Sequence, residues 1–281
     1  MSYQWFPGHM TKSMRMMQEN LKLIDMIIEL SDARIPRSST NPELKNLANG
    51  KSHILILTKS DLADPVMNTA WADHYAALGS TVLFADAREN KTVKALKPRL
   101  MEACQEKIER NRRRGIVGRP IRAMVVGVPN VGKSTFINSF VGKATAKTGN
   151  RPGVTRGKQW IRLNKELELL DTPGVLWPKI EDDRIGENLA LTGSIRDEIM
   201  DAEALACLLI ARLTTRYPGV LTARYGIEEA GEYYTILEKT ALRLGCLKAG
   251  GETDLTKAAQ IMIRDFRAGT LGRITLEGPD D

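Results

Sequence analysis

Ile121-Arg-Ala-Met-Val-Val126 runs directly into Gly127-Val-Pro-Asn130-Val131-Gly132-Lys133-Ser134, and the reading of that stretch decides the fold. The first six residues are mostly apolar and partly β-branched, the composition of a buried strand. The next eight match GxxxxGK[ST] in full. Gly127 and Gly132 let the backbone turn several N–H groups on one anion, and a helix opening near Lys133 adds its positive N-terminal end. Lys133 is then placed to reach the β- and γ-phosphates of a nucleotide and Ser134 to hold Mg²⁺. Asn130, Val131, Gly132 and Thr135 line the same loop. A chance Lys-Ser after a glycine turn would not be expected between an apolar strand and the helix-like Ser134–Val141. The stretch predicts an α/β domain built on a mostly parallel sheet flanked by helices.

Downstream, Leu167-Glu-Leu-Leu170 ends in Asp171-Thr-Pro-Gly174. A DxxG element at a strand end, 38 residues past Lys133, is where a P-loop GTPase keeps an aspartate that supports Mg²⁺ through water and a glycine whose N–H senses the γ-phosphate. Alone the pattern is weak. Between the two motifs lies Arg151-Pro-Gly-Val-Thr155, and Thr155 is the chosen switch hydroxyl for Mg²⁺, with Thr145 and Thr148 as the alternatives.

Such a site must also read its base, and residues 175–281 contain no [NT]KxD. The match lies upstream, at Thr58-Lys59-Ser-Asp61, closing the apolar run His53–Leu57. There Asp61 can accept two hydrogen bonds from guanine N1–H and N2–H₂, which adenine cannot return, while the stem of Lys59 covers the base and Thr58 ties this loop to the phosphate loop. A second base element follows the strand-like Thr81–Phe84: Ala85-Asp86-Ala87-Arg88, with the Ala87 N–H facing guanine O6. The similar Asp32-Ala33-Arg34 shows that the tripeptide can also arise by chance. Base loops precede the phosphate loop and switches, so the motif order is circularly permuted. Physics permits this, because a site assembled from loops at strand ends is indifferent to chain order. Strands are expected at about 25–32, 53–58, 81–85, 121–127, 158–163 and 166–171.

Charge is unevenly spread. Residues 1–174 carry 28 Lys and Arg against 16 Asp and Glu, a net +12, whereas residues 175–281 carry 13 against 18, a net −5. The cluster Lys107, Arg110, Arg112, Arg113, Arg114, Arg119 and Arg122 either attracts a polyanion or forms a solvated helix end. Three scattered cysteines form no metal or disulfide spacing and fit a reducing cytoplasm. No apolar run is long enough to span a bilayer. Beyond about 181, helical periodicity over Ala202–Leu213, Glu232–Leu244 and Asp254–Arg267 predicts a small all-α domain. The division is therefore residues 1–178, a permuted GTPase domain with an N-terminal leader, and residues 179–281, a helical domain. Its acidity confines any RNA contact to local groups such as Arg264, Arg267 and Arg273.

Phe6-Pro-Gly-His-Met10, Asp32-Ala-Arg-Ile-Pro36, Thr58–Asp61, Gly127–Ser134, Pro152–Thr155 and Asp171–Gly174 together resemble the ribosome biogenesis GTPase A family over nearly the whole chain. The resemblance implies a cytoplasmic enzyme that binds a late precursor of the large (50S) ribosomal subunit. It would contact ribosomal RNA and ribosomal proteins but neither DNA nor membrane, and hydrolyse GTP with Mg²⁺ as maturation proceeds. Val175 stands where a Ras-type enzyme has a water-orienting Gln, so another group must do that work. The family resemblance implies His9; taken alone, it reads as a surface histidine in a leader. Resemblance to related P-loop GTPases likewise implies that Asn130 helps bind K⁺, although a turn cap would also account for it. A nucleotide-switched placeholder with little hydrolysis is the alternative function.

Overall fold

The computed structural model describes residues 8–42, 44, 50–116, 118–141, 159–163, 165–172, 174, 176, 180, 182–195 and 200–281. Six strands form one sheet: β1 (Met26–Asp32), β2 (Ser52–Thr58), β3 (Thr81–Ala85), β4 (Ile121–Gly127), β5 (Gln159–Arg162) and β6 (Leu167–Asp171). Their spatial order is β3-β2-β1-β4-β6-β5, parallel except for the antiparallel β5–β6 pair. These strands fall within two residues of the expected ones. The inner parallel strands β1, β2, β4 and β6 read as apolar runs because they are largely covered on both sides.

Alternation along β1 sorts the two faces. Met26, Ile28 and Leu30 enter a core with Phe136 and Ile137 of the helix Lys133–Val141, while Ile27 joins Met17, Met124 and Leu170 on the opposite face. Met17 comes from α1 (Gly8–Leu21), which covers that side. The helix Pro65–Ala77, α2, lays the fully buried Trp71 against Leu55 and Leu57; Asp64 caps it and Pro65 occupies its first turn. Three shorter helices, α3 (Asn90–Ala95), α4 (Lys97–Glu102) and α5 (Gln105–Arg113), lead back to β4, after which α6 is Lys133–Val141.

The C-terminal residues are helical, as their periodicity predicts: α7 (Asp183–Leu191), α8 (Ala202–Arg216), α9 (Val220–Tyr225), α10 (Tyr233–Arg243) and α11 (Leu255–Ala268). α8, α10 and α11 pack on one another, burying Leu205, Leu209, Ile236, Met262 and Phe266 in the same continuous core that takes one face of the sheet. The segment 269–281 then turns back across the sheet end. Its Ile274 N–H donates to Leu62 O at 3.0 Å and its Leu276 N–H to Arg34 O at 2.8 Å. Among the described residues, no helix is long and apolar enough to cross a membrane.

Candidate functional site

Every parallel strand points its C-terminal end the same way, and the loops leaving β1, β2, β3, β4 and β6 meet there. The loop after β4 needs its glycines. A Cβ at Gly127, φ +154°, would lie 2.5 Å from Leu30 O, so only glycine lets β4 run this close to β1. Asn130 holds a left-handed φ of 58°, a conformation to which asparagine is suited. Its Nδ2 donates to Gly193 O at 2.6 Å, fastening the phosphate loop to the turn after α7.

Lys133 is buried, and its Nζ donates to Gly127 O at 3.0 Å and Val128 O at 2.7 Å. Ser134 and Thr135 follow it in the first turn of α6. A Cβ built on Gly174 would lie 2.9 Å from that Nζ and 2.7 Å from Pro129 Cα, so the DxxG glycine rests on the phosphate loop. Thr172 Oγ1 donates to Val125 O at 2.7 Å, fixing the start of the same segment to β4. Asp171, paired in register with Val125, is buried, and its Oδ1 has no hydrogen-bond partner in the structure.

The charges at this end are strained. Burial pushes the Asp171 carboxyl up to about 6 although the nearby Lys133 charge opposes the rise. Burial likewise brings the Lys133 ammonium down to about 8 against the pull of Asp171. An orphaned carboxylate oxygen beside a buried ammonium is the complement of a hard divalent cation and a polyphosphate. The residues present therefore fit Mg²⁺, which Asp171 and Ser134 would help to hold. Among the described residues, no group of three or more His, Cys, Asp or Glu side chains is arranged to hold a metal ion by itself. Thr155, Thr145, Thr148 and Val175 lie outside the described residues. His9 stands in the first turn of α1, and its side chain is outside them too.

At the other end, Thr58 Oγ1 donates to Val131 O at 2.7 Å and to Ser31 O at 3.1 Å, joining the base loop to the phosphate loop across 73 residues of sequence. Ala87 sits 3.8 Å from the position of a Gly132 Cβ, and its carbonyl accepts from Ser139 Oγ of α6 at 2.5 Å. Asp61 offers one buried, unbonded oxygen, Oδ1, while Oδ2 accepts from Arg88 Nη2. Arg88 is steadied by Asp86, whose Oδ1 accepts from its backbone N–H at 2.9 Å and its Nε at 3.3 Å. An unpaired carboxylate oxygen held at a loop edge is the acceptor that guanine requires.

Sequence reasoning missed two sets of residues. In the first, Asp32 accepts from Arg34 Nε at 2.9 Å, Arg34 Nη2 at 2.8 Å and Lys59 Nζ at 2.8 Å. Burial would raise the Asp32 carboxyl, but Arg34 and Lys59 hold it well below the usual carboxylate range. Lys59 thus has its ammonium anchored beneath the base loop. The signal was present: Asp32 closes an apolar strand, as Asp171 does. The second set is the C-terminal segment, where Arg273 Nε donates to Asp61 O at 3.0 Å, the Asp64 N–H to Thr275 Oγ1 at 3.1 Å and Trp71 Nε1 to Glu277 O at 3.1 Å. Nothing in the sequence signals these contacts. Arg267, expected as an RNA contact, instead donates to Leu191 O at 2.9 Å and Ala190 O at 2.7 Å. Arg264 is exposed. His53 and His74 pack as structural residues, against Glu29 and Trp71 respectively.

Residues 122–230 match the family model described as 50S ribosome-binding GTPase. That segment holds the phosphate loop and Asp171–Gly174 but leaves Thr58, Asp61 and Ala87 outside it. Ribosome biogenesis GTPase A of Priestia megaterium is 45% identical, covering 100% of this chain and 98% of its own. The chain belongs to the ribosome biogenesis GTPase A family. A second family member, from Bacillus licheniformis, is 43% identical with full coverage of both chains. The crystal structure of GNP-bound YlqF from Thermotoga maritima superimposes with a TM-score of 0.67 at 26% identity, covering 96% of this chain and 99% of that one. The fold is therefore that of a P-loop GTPase with permuted motif order, and a member of this GTPase family hydrolyses GTP, with Mg²⁺ as the general cofactor.

Proposed function

We propose that this chain binds a late precursor of the large ribosomal subunit, through ribosomal RNA and ribosomal proteins, and hydrolyses GTP as that particle matures. The observation that carries the nucleotide half is the Thr58 to Val131 bond. It joins a base-reading loop and a phosphate loop in one site although their order along the chain is reversed. In this reading Thr58, Lys59, Asp61 and Ala87 select guanine. Asn130, Val131, Gly132, Lys133, Ser134, Thr135 and Gly174 hold the phosphates. Ser134, Asp171 and Thr155 place Mg²⁺, which when bound neutralises charge on the β- and γ-oxygens.

Val175 cannot position water, so His9 takes that role as a neutral imidazole near pH 7. Asn130 is assigned a part in binding K⁺, and GTPase rates in KCl and NaCl test it. The division at 178/179 belongs to the same proposal, with residues 179–281 as the ribosome-contacting part. The chain passes from Gly174 straight into the helices, so a γ-phosphate-dependent shift there has a covalent route to them. The family resemblance supports the cytoplasm as the compartment of this work.

Single-turnover hydrolysis with and without large-subunit precursors, comparing His9→Ala, tests the proposal. Stimulation by particles that the substitution removes is the expected result. The missing Gln favours a second reading, a nucleotide-switched placeholder, and no stimulation together with no effect of His9→Ala would establish it.

A further inference from the structure

The basic cluster in the first part of the chain has no role in the nucleotide site. The structure places part of it at the opposite end of the sheet, where the parallel strands begin. There the buried Asp25 receives Lys107 Nζ at 3.3 Å and Arg119 Nη2 at 3.4 Å, and its Oδ2 accepts the Arg122 N–H at 3.1 Å. Lys51 donates to the neighbouring Ile24 O at 2.8 Å. Lys51, Lys107 and Arg119 thus outnumber the Asp25 carboxylate beside them, while the Arg122 guanidinium is matched by Glu168; Lys22, Arg112, Arg113 and Arg114 are exposed nearby in sequence.

Next to this excess of positive charge lies an open pocket of about 410 Å³ lined by Leu23, Arg122, Trp160, Arg162 and Glu168. Trp160 belongs to β5, the edge strand, and remains 37% exposed; Leu23 is 47% exposed. The Arg122 guanidinium lies 5.2 Å from the indole centroid, and Glu168 accepts from its Nε at 3.2 Å. An exposed indole thus stands beside a guanidinium group. This is the combination that single-stranded nucleic acid uses, with a base stacked on the ring and phosphates held by cations.

We infer that this pocket binds a single-stranded RNA segment, one base stacking on the Trp160 face away from Arg122 while Arg162 and the cluster around Asp25 hold the backbone. The inference rests on the ribosomal reading above and adds the face that meets the RNA. Because the pocket lies at the strand ends opposite the phosphate loop, RNA and GTP can be held at once. β5 also follows the segment containing Thr155 by only a few residues, so the stack lies close in the chain to the proposed switch.

The test is fluorescence anisotropy of a labelled single-stranded RNA of about 12 nucleotides with the full chain, GDP binding serving as the check on folding. Trp160→Ala should weaken RNA binding about ten-fold, and Trp160→Phe, which keeps a stacking face, by less than about three-fold. Arg162→Ala should lower the slope of log affinity against log salt by about one unit. Binding by Trp160→Ala equal to that of the unsubstituted chain would overturn the inference. So would polyglutamate displacing the RNA at matched charge, which would indicate an acidic protein partner instead. If Trp160→Ala lost GDP binding, the Trp160→Phe and Arg162→Ala results decide, an unchanged salt slope counting against the site. Sedimentation with large-subunit precursors separates the two levels. Absence of the unsubstituted chain from the particles defeats the ribosomal reading, whereas equal presence of it and Trp160→Ala defeats only this surface.

Discussion

The two ends of the nucleotide site are built by opposite means. At the base end, the surroundings of Asp61 are braced: Asp32 holds Lys59 and Arg34, Thr58 spans two loops, and the C-terminal segment bonds the carbonyls of Asp61, Leu62 and Arg34 from outside, leaving Asp61 Oδ1 as the unbonded carboxylate oxygen there. At the phosphate end, Lys133 and Asp171 are buried, each is displaced toward its neutral form, and an Asp171 oxygen has no partner. The difference teaches what each end contributes. If Asp61 reads the base as proposed, a braced loop would give selectivity, because a fixed carboxylate cannot adapt to the wrong base. A phosphate end whose charges are incompletely matched responds to the ligand, because anion and cation supply the missing charge.

Breaking the base end at its reading atom gives the largest expected effect. Asp61→Asn removes an acceptor from two charge-assisted bonds worth about 1.5–3 kcal/mol each, so calorimetry should show GDP affinity falling at least about 100-fold. Xanthosine diphosphate, whose C2 oxygen accepts from the new amide, should lose far less. Equal weakening of both nucleotides would show that Asp61 does not read the base.

Removing the brace rather than the reader comes next. Leu276→Ala opens space beneath a fully buried side chain and should cost about 2–5 kcal/mol in urea unfolding, with GDP affinity falling alongside. A loss of stability with unchanged GDP affinity would show that the base loop holds its shape unaided.

The phosphate end should reveal itself through pH. Asp171, raised to about 6 from 3.8, loses stability as pH rises between those values; Lys133, lowered to about 8 from 10.5, regains it as pH rises through that higher range. Between about pH 6 and 8 both are charged and both disfavour the fold. Thermal melts should therefore show Mg·GDP raising Tm most in that window, by an amount corresponding to about 1–3 kcal/mol. A gain that does not vary with pH would remove the charge strain from the account. The smallest effect is expected of Asn130→Ala, which unfastens the phosphate loop from Gly193 at about 1 kcal/mol, visible as a shift of a few degrees in Tm. No shift would mean that the contact carries no stability.

The same division governs how much could be read from sequence. The inner strands β1, β2, β4 and β6 were legible because they are largely covered on both faces and so appear as nearly uninterrupted apolar runs. The phosphate loop was legible because its chemistry needs particular residues at fixed local spacing. The permutation followed from the order of such local motifs. The Asp32–Arg34–Lys59 network was half visible: Asp32 stands at a strand end, yet nothing local shows that Lys59 lies 2.8 Å away. Arg267 was misjudged because an arginine on a helix looks the same whether it faces solvent or the carbonyls of another helix.

By itself, then, the sequence determined the sheet, the P-loop GTPase fold with its permuted order, and the helical character of the C-terminal part, all of which depend on residues near one another in the chain. Only the tertiary structure decided that residues 273–277 brace the base loop, that Asn130 fastens the phosphate loop to the turn after α7, and that Trp160 meets Arg122 at the far end of the sheet. Those contacts join groups tens to hundreds of residues apart. Their partners are chosen by packing of the whole core, and no periodicity or motif records that choice.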